Sequence, residues 1–120
     1  MTLKECYTAM EGNYDDAIGR LRSERLVTKF VLKFLNDKSH DLLLSSIAEK
    51  NYEEAFRAAH TIKGVCQNLS FTKLQDSSSR LCESLRSGYT PEADALAKET
   101  AEDYQATVAA IRTFQEASAG

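Results

Sequence analysis

Apolar and small residues recur along this chain at steps of three and four, the spacing of helices that each bury one stripe. Leu3, Cys6, Tyr7 and Met10 predict a short helix over 3–10, Gly12-Asn13 a break, and Ala17, Ile18 and Leu21 a second short helix over 14–21. Helices this short do not persist alone, so the pair is expected to pack across one end of the remaining structure, where it can flank the His60 surface described below. Ser23 is a candidate N-cap for a helix reaching about 36. Its Leu26, Val27, Phe30, Val31, Phe34 and Leu35 make a wide apolar face, the mark of a helix deep in a bundle. Asn36-Asp37-Lys38-Ser39 then connects to a helix over 39–50, with Leu43, Leu44, Ile47 and Ala48 expected inside and His40 on the surface.

A longer helix opens at Asn51, a candidate N-cap with Glu54 three residues on to complete a capping box. Ala55, Ala59, Ile62, Cys66 and Leu69 form its buried stripe. Leu69-Ser70-Phe71 makes a tight turn, and Phe71, Leu74, Ser78, Leu81 and Leu85 carry a seam spaced like a coiled coil up to about 87. So short a turn implies antiparallel neighbours. Gly88-Tyr89-Thr90-Pro91 breaks the chain, with Thr90 a candidate cap and Pro91 the first residue of a last helix to about 117. Leu96, Thr100, Tyr104, Val108, Ile111 and Phe114 are its inward stripe, and Ser118-Ala119-Gly120 should fray. The expected fold is all-α: an antiparallel up-down-up-down four-helix bundle with short extra N-terminal helices. The expected organisation is one domain over 1–120, with a bundle core at 23–117 and an N-terminal cap at 3–21.

Composition adds exclusions. A chain of 120 residues buries roughly 65% of its unfolded surface and needs no disulfide or metal to hold together. A net charge of −3 argues against a general nucleic-acid binder, which would show a basic stripe. Cys6, Cys66 and Cys82 form an odd set without a Cys-x-x-Cys pair and fit no zinc pattern, so reduced thiols in a cytoplasmic protein are expected. The opening residues do not read as a secretory signal, and no apolar run approaches the roughly 20 residues of a membrane span.

His60 lies two residues from Ile62, or roughly 200° around a helix, and so points away from the buried stripe. Lys63, Gly64 and Gln67 share its outward face. An exposed neutral imidazole is a good nucleophile near pH 7, and a lysine one turn away can pair with phosphoryl oxygens. A mid-helix glycine costs about 0.5–1 kcal/mol relative to alanine, which suggests that something large must approach the backbone there. Phe56, one turn earlier, is either a rim residue of a docking surface or an ordinary core position, and Arg57 beside it is a second docking candidate. Reflecting the hairpin about Ser70 sets His60 level with residue 80, with Ser79 and Cys82 on one flank alongside Gln75 and Arg86.

The run Ala59-His60-Thr61-Ile62-Lys63-Gly64, followed by Asn68-Leu69-Ser70-Phe71 and Leu74, resembles the histidine-containing phosphotransfer (HPt) domain family. The likeness extends upstream through Tyr14-Asp15-Asp16-Ala17-Ile18 and covers roughly 3–115. It implies a four-helix bundle that carries a phosphoryl group on histidine between receiver-domain aspartates, with no kinase activity of its own. By that resemblance His60 is the phosphorylated residue, Lys63 the phosphoryl partner and Gly64 the gap that admits a receiver. Two positions depart from the family. Members often carry glutamine or glutamate where Cys82 stands, to hold one imidazole nitrogen, and a thiol is a weak hydrogen-bond partner. Ser79 or Gln67 is then the candidate to orient the ring. Many members carry glycine where Ser70 stands.

The expected partners are receiver domains and sensor histidine kinases, not nucleic acid or membrane, and the expected state is a monomer. No cofactor is expected on this chain. It lacks a carboxylate cluster around His60, so Mg²⁺ is expected on the receiver. Two other classes compete: a non-catalytic interaction module using the same bundle face, and an enzyme with His60 as general acid/base. A histidine kinase is excluded by the absence of a glycine-rich nucleotide-binding domain.

Overall fold

Side-chain caps open most of the helices where the chain offers them. The computed structural model describes residues 1–119, the last two by backbone alone. Thr2 and Glu5 close a reciprocal capping box on α1 (Leu3–Ala9), and Asn13 accepts from the Asp16 N–H to open α2 (Tyr14–Leu21). Ser23 caps α3 (Glu24–Lys33) as expected, and the chain tightens into a 3-10 turn over Phe34–Asn36. Then come α4 (Ser39–Ala48), α5 (Tyr52–Leu69), α6 (Thr72–Leu85) and α7 (Pro91–Ala119). Thr90 uses its hydroxyl in a 2.9 Å bond with Ser84. Helix persists to Ala119, and Gly120, expected to fray with Ser118 and Ala119, lies outside the described residues.

The described elements form a helical bundle. In sequence, α4 packs on α5, α5 on α6 and α6 on α7, while α1 lies against α7 and α2 against α3. Across α6 and α7, Lys73 approaches Asp103, Arg80 pairs with Glu99, and Ser84 meets Thr90. One partner number rises as the other falls, as it must where two helices run side by side in opposite senses. The stripes expected of α5, α6 and α7 are buried in one cluster, Tyr104 alone being half-buried, and Leu3, Cys6, Tyr7 and Met10 join from α1. Three buried hydroxyls of α6 and α7 are satisfied within their own helices: Ser78 donates to Leu74 O, Thr100 to Leu96 O and Thr107 to Asp103 O.

Two helices depart from expectation. α3 is a cover rather than a deep helix: Val27 and Val31 are buried, Phe30 and Leu35 are half-buried, and Leu26 is 41% exposed. Phe34, in the 3-10 turn that follows, is buried as well, so Leu26 is the one residue of the expected apolar face left in the open. In α4, Leu43 is buried and Ile47 half-buried, but Leu44 and Ala48 are exposed. Its inner face instead includes His40, expected on the surface yet 2% exposed, with its ring stacked 4.1 Å from that of Tyr104 on α7. His40 Nε2 is buried without a hydrogen-bond partner. Burial holds the imidazole below its ordinary value of 6.5, with Asp41 pulling weakly the other way.

The α5–α6 turn anchors the N-terminal helices. Ser70 sits at φ 59° as the left-handed cap of α5, a backbone conformation that favours glycine. Its hydroxyl donates to Asp16 Oδ2 (2.6 Å) and accepts from Arg20 Nη1 (2.9 Å). Arg20 also donates to the carbonyls of Gln67 (2.6 Å) and Asn68 (3.2 Å), and the Tyr7 hydroxyl donates to Leu69 O (2.8 Å). The Asn13 N–H reaches Ser70 O at 2.8 Å. A Cβ on Gly12 would lie 2.9 Å from both Ser70 O and the Tyr7 ring, so only glycine lets the α1–α2 elbow come this close.

Tyr7→Phe should therefore lower the unfolding free energy by about 1–2 kcal/mol, because the buried Leu69 carbonyl loses its donor. Gly12→Ala should also destabilise, whereas Gly19→Ala, with nothing within 4 Å of the new Cβ, should be neutral or stabilising. Urea unfolding of the three variants checks both, and equal effects at Gly12 and Gly19 would refute the close approach.

His40 also sets a pH dependence. The unfolded chain binds the imidazole proton more readily than the folded one, so stability is full above the ordinary imidazole value and falls as pH drops through it towards the folded value. His40→Phe should flatten that part of the stability profile between pH 7 and 5, and an unchanged slope would refute the assignment.

Candidate functional site

α5 starts from Asn51, whose side chain accepts from the Glu54 N–H at 3.3 Å. The expected capping box is not closed, because Glu54 turns instead to Arg57 (2.6 Å). Arg57 also holds Glu53 at 2.9 Å, so this docking candidate is exposed but already paired with two carboxylates of its own helix.

His60 is exposed, one turn after Phe56 and on the face opposite the buried stripe. Its ring lies 6.2 Å from that of Phe56 at 42° between planes. Phe56 is half-buried, and the Arg86 guanidinium of α6 stands 5.4 Å over its ring. Arg86 is held by Glu83 at 2.8 Å. Phe56, Arg57, His60, Thr61 and Arg86 line an open hollow of about 520 Å³. It is a surface depression beside the imidazole, open to a large partner rather than enclosing a small ligand.

Lys63 follows one turn beyond His60 and is partly exposed. Its charge acts on α6: it opposes the rise that burial imposes on the Cys82 thiol, and it adds to the lowering of Glu83, which comes first from the Arg86 hydrogen bond. Gly64 is exposed, and a Cβ there would meet nothing within 4 Å. Internal packing thus gives no reason for glycine at this position, and the helix bears its conformational cost on an open face.

Of the expected flank, Arg86 faces Phe56, and the charge of Lys63 reaches Cys82 and its neighbour Glu83. The turn takes Ser70 and Phe71 together, which moves the hairpin's midpoint. Side chains also lean towards their own helix N-terminus, which tips Arg86 towards the level of His60. Ser79 lines a groove between α6 and α7 with Arg80, Glu83 and Leu96, and is not brought to the imidazole. Cys82 is 1% exposed, beneath the surface rather than on its flank. Gln67 is exposed about 10 Å further along the axis by helix rise, its carbonyl taken by Arg20. No side chain among the described residues hydrogen-bonds the His60 ring. Its nearest aromatic support is Phe56, and Arg86 is the charged neighbour that the sequence reading left on the flank without a role. The same hairpin reflection, taken with the lean of helical side chains, would have singled it out.

Among the described residues no group of histidine, cysteine and carboxylate side chains could hold a metal ion, and no helix is long and apolar enough to cross a membrane. The family model described as "Hpt domain" matches residues 29–113, a span that contains His60, Lys63, Gly64 and Arg86. No curated protein and no solved structure matches the chain.

All three thiols should resist a thiol-specific disulfide reagent at pH 8 in the folded protein and react together once it is denatured. Burial pushes Cys6 up to about 11 and raises Cys66 and Cys82 as well. A fast native reaction, lost in Cys82→Ala, would show that Cys82 opens onto the His60 surface.

Proposed function

The chain belongs to the Hpt domain family, and from that premise we propose that it is a phosphorelay carrier that accepts a phosphoryl group on His60 from a receiver aspartate or a kinase and passes it to another receiver. Hpt domains are phosphotransfer modules of two-component signalling, carriers rather than kinases. The observation that supports this assignment is the exposed face of α5, where His60 stands with Lys63 and a Gly64 that has open space above it.

The chemistry follows from a nucleophile without an enclosing pocket. The lone pair of the unprotonated imidazole nitrogen attacks phosphorus in line with the bond to the aspartyl oxygen. A P–N bond forms, the P–O bond breaks with its electron pair returning to the carboxylate, and the ring's other N–H proton leaves to solvent. Reversal delivers the group to the next receiver. Such transfers depend on positioning and on neutralising charge at the phosphoryl oxygens. Lys63 would supply one positive charge, and Arg86, released from Phe56 and Glu83, a second. Mg²⁺ is expected on the receiver, and the chain would act as a monomer.

The test is incubation of the purified protein with phosphorylated receiver domains of the same organism and Mg²⁺. Label that is acid-labile, stable in base and absent in His60→Gln is expected. Persistence in His60→Gln would move the site, and no transfer from any competent receiver would favour the interaction-module reading.

Lys63→Ala should slow transfer by roughly tenfold to a hundredfold, as a charge-assisted contact of about 1.5–3 kcal/mol implies. Gly64→Leu should impair transfer without lowering the melting temperature, because the new side chain meets only a partner. Unchanged transfer rates in both variants would refute these roles.

A further inference from the structure

α3 carries a basic stripe that the transfer chemistry does not use. Arg25, Lys29 and Lys33 recur at four-residue steps and are exposed, with Arg22 just before them and Leu26 exposed among them. None of these four cations pairs with a carboxylate among the described residues. Arg20, Arg57, Lys73, Arg80 and Arg86 are each tied to an acid, whereas this row of cations along one helix is left free in a chain whose net charge is −3.

Beside the stripe lies a groove of about 390 Å³, floored by Phe30, Phe34, Val65 and Leu69 and edged by Lys33. Asp37 is at its margin, but its carboxylate accepts from the Ser39 N–H at 2.7 Å and serves the start of α4. Of the groove's α5 residues, Asn68 stands eight residues beyond His60, roughly 12 Å along the axis and about 80° around it, on the Gly64 side. A partner that covers about 800 Å² around His60, the usual share of one side of a stable interface, extends to that edge, and Lys33 lines the same groove.

We propose that the α3 stripe and this groove select the receiver, by taking a helix-sized apolar ridge whose near edge carries carboxylates. This rests on the carrier reading above. The groove floor calls for an apolar ridge, and Lys33 at its edge, with Lys29 and Arg25 continuing the row along α3, calls for acids on that side. Exposed charges of this kind act on encounter and partner choice rather than on the reacting atoms. Their effect belongs in the second-order rate of transfer and in its salt dependence.

The test compares the unmodified protein with the triple variant Arg25→Glu/Lys29→Glu/Lys33→Glu and its neutral counterpart with glutamine at the same three positions. Transfer from phosphorylated receivers is measured at low and high salt, and phosphoramidate labelling of His60 reports the nucleophile without docking. At low salt the second-order rate constant should fall at least roughly tenfold in the glutamate variant and less in the glutamine variant. High salt should narrow the gap, and phosphoramidate labelling should be the same in all three proteins. Equal transfer by all three proteins overturns the inference alone. So does binding to phosphatidylserine vesicles that is lost in the triple variant while transfer is kept, which would assign the stripe to a membrane surface. Absence of transfer from every receiver to the unmodified chain overturns the carrier reading, and this inference with it.

Discussion

The end of α5 is the constraint on which the rest of the molecule depends. A helix leaves its last carbonyls without intrahelical donors. Here the N-terminal segment supplies the donors: Arg20 takes Gln67 O and Asn68 O, Tyr7 takes Leu69 O, and the Asn13 N–H takes Ser70 O. Ser70 holds a left-handed backbone that costs a non-glycine residue roughly 1–2 kcal/mol. Its hydroxyl, bonded to Asp16 and Arg20, offsets that cost in a way glycine cannot. The departure from the family pattern at Ser70 is therefore matched by partners elsewhere in the same chain. It also explains why α1 and α2, each too short to persist alone, have a fixed place.

With its end secured, α5 can present an open side. Alanines at Ala55, Ala58 and Ala59 let neighbouring helices approach closely on the inner side, while His60, Gly64 and Gln67 remain exposed on the outer one. The hollow beside His60 is open rather than enclosing, with Arg57 and Arg86 in its lining, each paired with acids of its own helix, and Lys63 one turn beyond His60. Such a surface suits a group that is handed over by a docking protein, because the partner can bring the excluded water, the metal and the remaining charges. The same logic gives weight to surfaces outside the hollow. When chemistry is shared across an interface, discrimination between partners falls to contacts away from the reacting atoms.

How far the chain could be read without coordinates differs from helix to helix. For α5, α6 and α7 the apolar spacing named the buried stripes correctly, because those helices are covered along most of their length and burial follows from angle around the axis alone. For α3 and α4 the same spacing misled. Leu26 and Leu44 are apolar yet exposed, and no pattern within a helix reports which of its faces will find neighbours. His40 shows the converse: a polar residue drawn inside because Tyr104 offers a ring to stack on, more than sixty positions away in sequence.

The candidate site divides along the same line. That His60, Lys63 and Gly64 share one exposed face was determined by the sequence itself, since residues three and four apart on a helix must be neighbours whatever packs behind them. What lies beside that face was decided only by tertiary structure. Cys82 beneath the surface, Ser79 turned towards α7 and Arg86 over Phe56 all depend on how α6 is rotated and offset against α5. That rotation is a compromise among all the packed faces at once, and no single helix encodes it.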